Sequence, residues 1–283
     1  MNAASVDTRE LAERIRHHVV DMCGTGLGGH LGGGLSIADI LAVLYGQVLA
    51  VRPDQPDWPE RDRFILSKGH GALGLYAVLA LRGFLPVEEL GTLGRAGSRL
   101  GGHPTRRVPG VEFATGSLGH GIALGLGTAL AARLAGGPSR TVVLVGDGEL
   151  QEGSCWEAAA AAAAVGADTL TVVVDANGLQ LGRAVPGPGR PGDLADRWHA
   201  SGWDVQQVDG HDHDSLAAAL TAPTTPQQPR AIVAATAKGY GLPFVAGQVK
   251  SHYAALSPRL LARAHGVLDR EHDPLARRGT ATP

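Results

Sequence analysis

The chain has 283 residues, enough to bury a large hydrophobic core, and its composition excludes several classes of protein. Its 25 basic and 27 acidic side chains give a formal net charge of −2, without any block of like charge. The electrostatic signature of a nucleic-acid-binding or polybasic membrane-binding protein is therefore missing. Two cysteines, Cys23 and Cys155, are too few for a disulfide framework or a metal cluster, which favours a cytoplasmic location. Neither a signal peptide nor the ~18-residue apolar run of a membrane-spanning helix is expected.

Apolar periodicity predicts mainly helices in the first half of the chain. Residues 7–22 and 36–49 have helical spacing, and Ser36 is expected to cap the second of these helices. A short strand is predicted at 63–66. Two further helices are predicted at 71–82 and 119–134.

From residue 141 onward, predicted strands alternate with predicted helices. The strands are expected at 141–145, 169–174, 203–208 and 230–235, and the helices at 154–165, near 193–200 and at 214–220. This alternation is typical of an α/β fold with a mostly parallel sheet and helices on both faces. One domain is expected over residues 1–268, followed by a loosely ordered tail at 269–283.

Two polar residues that each follow a predicted strand form the most informative pattern in the chain. Asp147 lies between two glycines after strand 141–145, and Asn177 follows strand 169–174, thirty residues later. Alone, either would be interpreted as a turn or cap residue, but the pair at this spacing favours a binding site. The Asp147 carboxylate, the Asn177 side-chain carbonyl and the Leu179 backbone carbonyl are ligands that suit Mg²⁺ or Ca²⁺. The pattern therefore predicts a diphosphate site held by a metal ion.

Two other motifs suggest ligand sites, and both are better explained without one. The segment 24–29 matches the dinucleotide-binding pattern G-x-G-x-x-G, but it follows a predicted helix rather than a strand. His211 and His213 could suggest a metal site. The neighbouring Asp209-Gly210 and Asp214 instead favour a turn followed by a helix cap.

The Gly-Asp-Gly segment with Asn about thirty residues later resembles the thiamine-diphosphate fingerprint, and "GDGELQEG" resembles its transketolase version. Other segments between about residues 10 and 260 resemble successive motifs of transketolase. They include "GGHLGGGLSIADILAVLY", "SKGHGALGLYAVLALRGFL", "GGHPTRR", "ATGSLGHGIALGLGTALA" and "VVVDANGLQLGR". Together with "KGYGLPFVAGQVKSHY", this order is most similar to the proteins in which transketolase is split into two subunits.

The resemblance implies roles for individual residues. Four histidines would line the cleft above the thiazolium and hydrogen-bond the donor, as catalytic groups that donate or accept protons near neutral pH. These are His30, His70, His103 and His252. The resemblance also implies a metal ion, Mg²⁺ with Ca²⁺ or Mn²⁺ as alternatives, bound by Asp147, Asn177 and the Leu179 carbonyl. The cofactor-binding residues would be His70, Gly116, Leu118, Asp147, Gly148, Glu152, Asn177 and Leu179, with Glu152 at a subunit interface.

Four positions depart from the family pattern. Leu31 replaces a usual proline, Gly178 a frequent lysine, Gly182 a common acid and Tyr253 the glycine that normally follows the histidine. The first three leave every implied metal ligand in place. Tyr253, beside His252, would narrow the donor or acceptor pocket and so bears on which substrate is accepted.

The resemblance implies a transketolase-like transferase that needs a second polypeptide. In such enzymes the glutamate that activates the aminopyrimidine belongs to a pyrimidine-binding domain, and this chain ends about where that domain would begin. The expected enzyme is an α2β2 heterotetramer with a partner that carries this domain, moving a two-carbon ketol unit from a ketose to an acceptor. The alternatives are a component of another thiamine-diphosphate enzyme and a non-catalytic binding relict. The former could be a 2-oxo acid decarboxylase or dehydrogenase, or resemble deoxyxylulose-phosphate synthase.

Overall fold

A computed structural model describes residues 6–185, 187 and 189–272, and its secondary structure alternates as the sequence predicts. The helices are α1 (Thr8–Cys23), α2 (Leu31–Leu35), α3 (Ala38–Val43), α4 (Ala72–Leu81), α5 (Gly121–Leu134), α6 (Gly153–Ala164), α7 (Pro191–Ala200), α8 (His213–Thr221) and α9 (Pro258–His272). The strands are β1 (Arg63–Leu66), β2 (Thr141–Gly146), β3 (Leu170–Ala176), β4 (Leu179–Gln180), β5 (Arg183–Ala184), β6 (Asp204–Asp209) and β7 (Arg230–Ala235).

The centre of the fold is a five-stranded sheet in the order β1-β2-β3-β7-β6, and all of its pairings are parallel. Successive side chains of a strand point to opposite faces, so each buried strand contributes to two cores. Leu144 of β2 packs with apolar residues of α1, α3 and α4, whereas its neighbours Val143 and Val145 pack with those of α5, α6 and α7. Helices therefore cover both faces, and the predicted α/β class is confirmed.

The prediction of one continuous helix over residues 36–49 is wrong, because the α-helix begins at Ala38 and ends at Val43. The segment contains α3 and then a π-helical turn at Leu44–Val48, and α2 lies before it. Ser36 does not cap α3, which has Ile37 at its N-cap and no side-chain cap hydrogen bond. The Ser36 hydroxyl donates to the Gly33 carbonyl at 3.2 Å and to the Asp175 carboxylate at 2.8 Å. The hydroxyl of this buried serine instead serves a buried carboxylate, which needs hydrogen-bond partners.

The turn at residues 209–214 forms as predicted, although its cap is Asp212 rather than Asp214. His211 and His213 do not face each other across an ion, because both contact the buried carboxylate of Asp39, at 2.7 and 2.9 Å. Although burial opposes it, these hydrogen bonds hold the pKa of Asp39 below its usual range. The two histidines tie α8 to α3.

Two further elements were not predicted from the sequence. The hairpin of β4 and β5 is too short to give a periodic pattern. The helix α9 packs against α1 and includes Asp269, which the sequence assigned to the tail. Residues 273–283 lie outside the described residues, so the domain boundary stays a prediction. Among the described helices, none combines the length and hydropathy required to cross a membrane.

Candidate active site

Four adjacent strands place polar residues at one edge of the sheet. Lys68 follows β1, Asp147 follows β2, Asn177 follows β3 and Lys238 follows β7. Because these strands are parallel, their carboxyl ends meet at the same edge, where ligands of open α/β sheets usually bind. A cavity of about 370 Å³ opens there. It is lined by every residue that the resemblance implied for the site: His30, His70, His103, Gly116, Leu118, Asp147, Gly148, Glu152, Asn177, Leu179 and His252.

The four histidines reach the cavity from separate parts of the chain. His30 immediately precedes α2, and its ring centroid lies 5.7 Å from that of His70 and 5.5 Å from that of His103. His252 is 5.3 Å from His30 and 5.2 Å from His70. The rings therefore form one cluster with His30 in contact with the other three.

The surroundings of three histidines in this cluster, His30, His70 and His252, lower their pKa values and keep these imidazoles neutral at physiological pH. Burial, followed by the nearby His103, lowers the pKa of His30 to about 4. Burial and then the Lys238 ammonium lower the pKa of His252 to about 4. Burial also lowers the pKa of His70, with a contribution from Lys68. Neutral imidazoles have both a donor and an acceptor nitrogen, so the cluster can hold hydroxyl and carbonyl oxygens of a substrate.

Asp147 provides a negative charge that suits a cation. Its buried carboxylate accepts hydrogen bonds from the backbone N–H groups of Gly148, at 2.7 Å, and Gly178, at 2.5 Å. Burial and then the charge of Asp175 nevertheless raise its pKa to about 6. A desolvated carboxylate beside a second carboxylate is stabilised by a nearby positive ion.

The other two predicted metal ligands lie on the turn that leads into β4. The Asn177 side chain accepts a hydrogen bond from the Leu179 N–H at 3.0 Å and donates one to Asp175 at 3.0 Å. The Leu179 carbonyl accepts from the Lys238 ammonium at 3.1 Å, so a cation already lies at this oxygen. One carboxylate, one amide and one backbone carbonyl fit a hard divalent ion that also binds phosphate oxygens. In the described ranges no cluster of three or more His, Cys, Asp or Glu side chains could hold a metal, consistent with a donor set that has one carboxylate.

A buried ionic network beneath the cavity was not predicted from the sequence. Lys68 pairs with Asp175 and also donates to the Gly33 carbonyl at 3.2 Å. The hydroxyl of Thr236 donates to the same carboxylate. Although burial alone would raise it, the Lys68 ammonium and these hydrogen bonds hold the pKa of Asp175 below its usual range. A charged residue inside the apolar run of β3 was the sequence signal that could have revealed it.

Lys238 is a second residue that sequence reasoning missed. Its ammonium lies 3.0 Å from Nδ1 of His252, and so connects the metal side of the cavity with the histidine side. Burial, with the charge of Lys68 next, lowers its pKa to about 8. The position of this amine beside Leu179 would also let it contact an anionic ligand.

Glu149 is the third missed residue, and it connects the loops that form the cavity wall. Its buried carboxylate accepts hydrogen bonds from the Ser67 hydroxyl and from the backbone N–H groups of Gly119, at 3.0 Å, and Gly146, at 3.2 Å. It thus joins the ends of β1 and β2 to the loop before α5. The predicted interface residue Glu152 is exposed at the rim of the same cavity.

Comparison with known proteins agrees with this geometry. The family described as transketolase, thiamine diphosphate binding domain, matches residues 7–269. The chain is 38% identical over 273 residues to a protein named 6-deoxy-6-sulfo-D-fructose transketolase subunit SqwG from Clostridium sp. (strain MSTE9), covering 96% of this chain and 99% of that protein. It is 39% identical to one subunit of the apulose-4-phosphate transketolase of Phocaeicola vulgatus, covering 88% and 89% of the two chains.

Solved structures show the same architecture. The crystal structure of transketolase from Campylobacter jejuni matches with a TM-score of 0.86 and 32% sequence identity, over 95% of this chain and 43% of that one. The chain thus spans less than half of the solved transketolase, but almost all of the Clostridium relative, which is named as one subunit. The chain belongs to the transketolase family and corresponds to the thiamine-diphosphate-binding N-terminal subunit of its two-subunit members.

Proposed function

We propose that this protein, joined to a partner that carries the pyrimidine-binding domain, moves a two-carbon ketol unit from a ketose donor to an acceptor. One observation carries the proposal: a single cavity is lined both by the four histidines and by Asp147 and Asn177. The first group of residues suits a polyhydroxylated substrate, and the second suits a metal-bound diphosphate.

In this proposal, bound thiamine diphosphate supplies the carbanion chemistry of ketol transfer. Asp147, Asn177 and the Leu179 carbonyl hold Mg²⁺, or in its place Ca²⁺ or Mn²⁺. Gly148, which has no side chain, allows the backbone to approach the diphosphate closely. Two further cavity residues, Gly116 and Leu118, contact the aminopyrimidine side.

The histidines act on the substrate. His30, His70, His103 and His252 bind the carbonyl and hydroxyl oxygens of the donor and exchange protons with them as the carbon–carbon bond breaks. The low pKa values of His30, His70 and His252 support this role, because a protonated imidazole could not accept a hydrogen bond from a hydroxyl group. His70 also contacts the cofactor.

The partner and the assembly are part of the proposal. The names of the two relatives describe them as subunits, which supports an enzyme made of two polypeptides. We propose an α2β2 heterotetramer around a twofold axis, with Glu152 and α5 at the interface. The proposed location is the cytoplasm, where the buried, unpaired Cys23 and Cys155 would remain reduced.

Assays of ketol transfer by this chain, with and without the partner, test the proposal. We expect activity only when both polypeptides, thiamine diphosphate and Mg²⁺ are present, with ketose rather than 2-oxo acid donors. Full turnover by the rigorously purified lone chain would contradict the need for a partner. Turnover of 2-oxo acids alone would instead indicate a decarboxylase or dehydrogenase component.

A further inference from the structure

Tyr253 lies beside the histidine cluster and is one of the four positions at which the sequence departs from the family pattern. Its ring meets the His30 ring edge-on, with centroids 5.1 Å apart and an interplanar angle of 88°. The other three rings around His30 are cavity histidines, so Tyr253 covers a remaining side of this imidazole. The side chain is 54% exposed and is not among the residues that line the cavity, so its ring presents an aromatic surface to the solvent beside His30.

Several contacts fix the Tyr253 side chain in this place. Its hydroxyl donates to the Leu27 carbonyl at 2.9 Å. The backbone of the next residue, Ala254, pairs with Gly29 through two hydrogen bonds of 2.9 and 3.0 Å. The ring packs so closely over Gly28 that a Cβ atom there would lie 3.1 Å from Cε1 of the ring. The aromatic ring is therefore preorganised, and moving it would break several contacts.

We propose that Tyr253 is a specificity-determining residue that limits the length of the sugar chain extending past His30. This inference rests on the proposed ketol transfer. The ring occupies the space beside His30, and its hydroxyl is already engaged by Leu27. A sugar chain that extends past His30 would meet this preorganised ring, and moving the ring aside would break the contacts that hold it. The enzyme should therefore favour short ketoses over long ones.

Donor selectivity tests this inference in the complete two-polypeptide enzyme loaded with thiamine diphosphate and Mg²⁺. Ketose phosphates of five, six and seven carbons are compared as donors with one common acceptor, and kcat/KM is measured for each. Tyr253→Gly should raise the ratio of kcat/KM for the longest donor over the shortest by roughly tenfold or more, the scale at which pocket size discriminates substrates. Tyr253→Phe keeps the ring and should leave the ratio at its parent value. The same ratio in all three proteins would overturn the inference.

A second measurement does not depend on catalysis. Diethyl pyrocarbonate acylates accessible neutral imidazoles, and peptide mass spectrometry measures the rate at each histidine of the full-length chain without cofactor. Tyr253→Gly should accelerate acylation of His30 severalfold relative to the exposed His199, and Tyr253→Phe should not. An unchanged His30 rate in the glycine variant would overturn the idea that Tyr253 closes this side. If the parent complex transferred no ketol group from any donor, the proposed function would fail, while the acylation rates would still decide the placement of Tyr253. Thermal melting of the variants checks that they fold.

Discussion

Lys68 and Asp175 form an ion pair in which both side chains are almost completely inaccessible to solvent, with 1% and 0% of their surfaces exposed. The pair joins the end of β1 to the end of β3, directly below the cavity. Breaking a buried pair by removing one partner leaves the other charge uncompensated, and this usually costs more than removing both. The network around Asp175 therefore supports the active site structurally, and the Asp175 charge also acts on Asp147.

We expect Lys68→Met to lower the free energy of unfolding by about 3–5 kcal/mol, because Asp175 would stay buried without its cation. The double variant with Asp175→Asn should recover part of this loss, since both charges are then absent. Urea denaturation of the parent, the two single variants and the double variant measures the coupling. Additive losses would show that the two residues do not act as a pair.

Asp147→Ala should abolish metal-dependent binding of thiamine diphosphate, because it removes the only carboxylate assigned to the metal ion. Calorimetric titration of the two-polypeptide complex with cofactor, in the presence and absence of Mg²⁺, measures this effect. The exposed Asp54→Ala is the matched control and should bind like the parent. Unchanged affinity in Asp147→Ala would remove this residue from the metal site.

His103→Ala and His252→Ala should affect turnover more than folding. Each variant deletes a group assigned to substrate hydrogen bonding, so kcat/KM should fall by roughly 10²–10⁴. The thermal midpoint should stay near that of the parent, because both side chains are at least partly exposed. His199→Ala, remote from the cavity lining, serves as the control for both measurements. A variant that melts early and yet keeps full activity per folded molecule would identify its histidine as structural.

The free energy of unfolding should depend on pH through His30 and His252 of the histidine cluster. The pKa values of His30 and His252 are about 4 in the folded chain, below the ordinary histidine value of 6.5, so the unfolded state binds more protons between these limits. The contribution of these two imidazoles to stability should therefore be complete above pH 6.5 and decrease as the pH falls toward 4. The thermal midpoint, recorded over this range, should fall less steeply in His252→Gln than in the parent. Parallel curves would mean that His252 does not contribute to this dependence.

The parts of the site that could be predicted from the sequence follow a local signal. Asp147 and Asn177 each follow a strand whose apolar run is visible in the sequence, and the cluster of histidines was expected from its motifs rather than from spacing. The strands of the sheet and most helices were placed correctly for the same reason. Because β2 and β3 are adjacent and parallel, Asp147 and Asn177 lie at the same edge of the sheet.

The parts that could not be predicted depend on partners distant in the sequence. Nothing near Lys68 shows that Asp175, more than a hundred residues away, will neutralise it. Ser36 looked like a helix cap because its local context is typical of one, and a long-range contact with Asp175 determined its actual role. Lys238 was missed because its significance depends on the position of Leu179 in a hairpin too short to give a pattern.

The Lys238 ammonium donates to the Leu179 carbonyl, so a positive charge of the protein lies at an oxygen that is proposed to bind the metal ion. Lys68 is paired with Asp175, and Lys238 occupies the carbonyl oxygen proposed for the metal ion. A divalent ion alone would add positive charge beside these ammonium groups, and a diphosphate alone would add negative charge beside Asp147. The charges of the two ligands nearly cancel when both are bound. The Lys238 ammonium, displaced from the Leu179 carbonyl by the metal ion, could then contact the diphosphate. Metal and diphosphate should therefore strengthen each other's binding by equal factors, which makes the site respond to both together rather than to either separately.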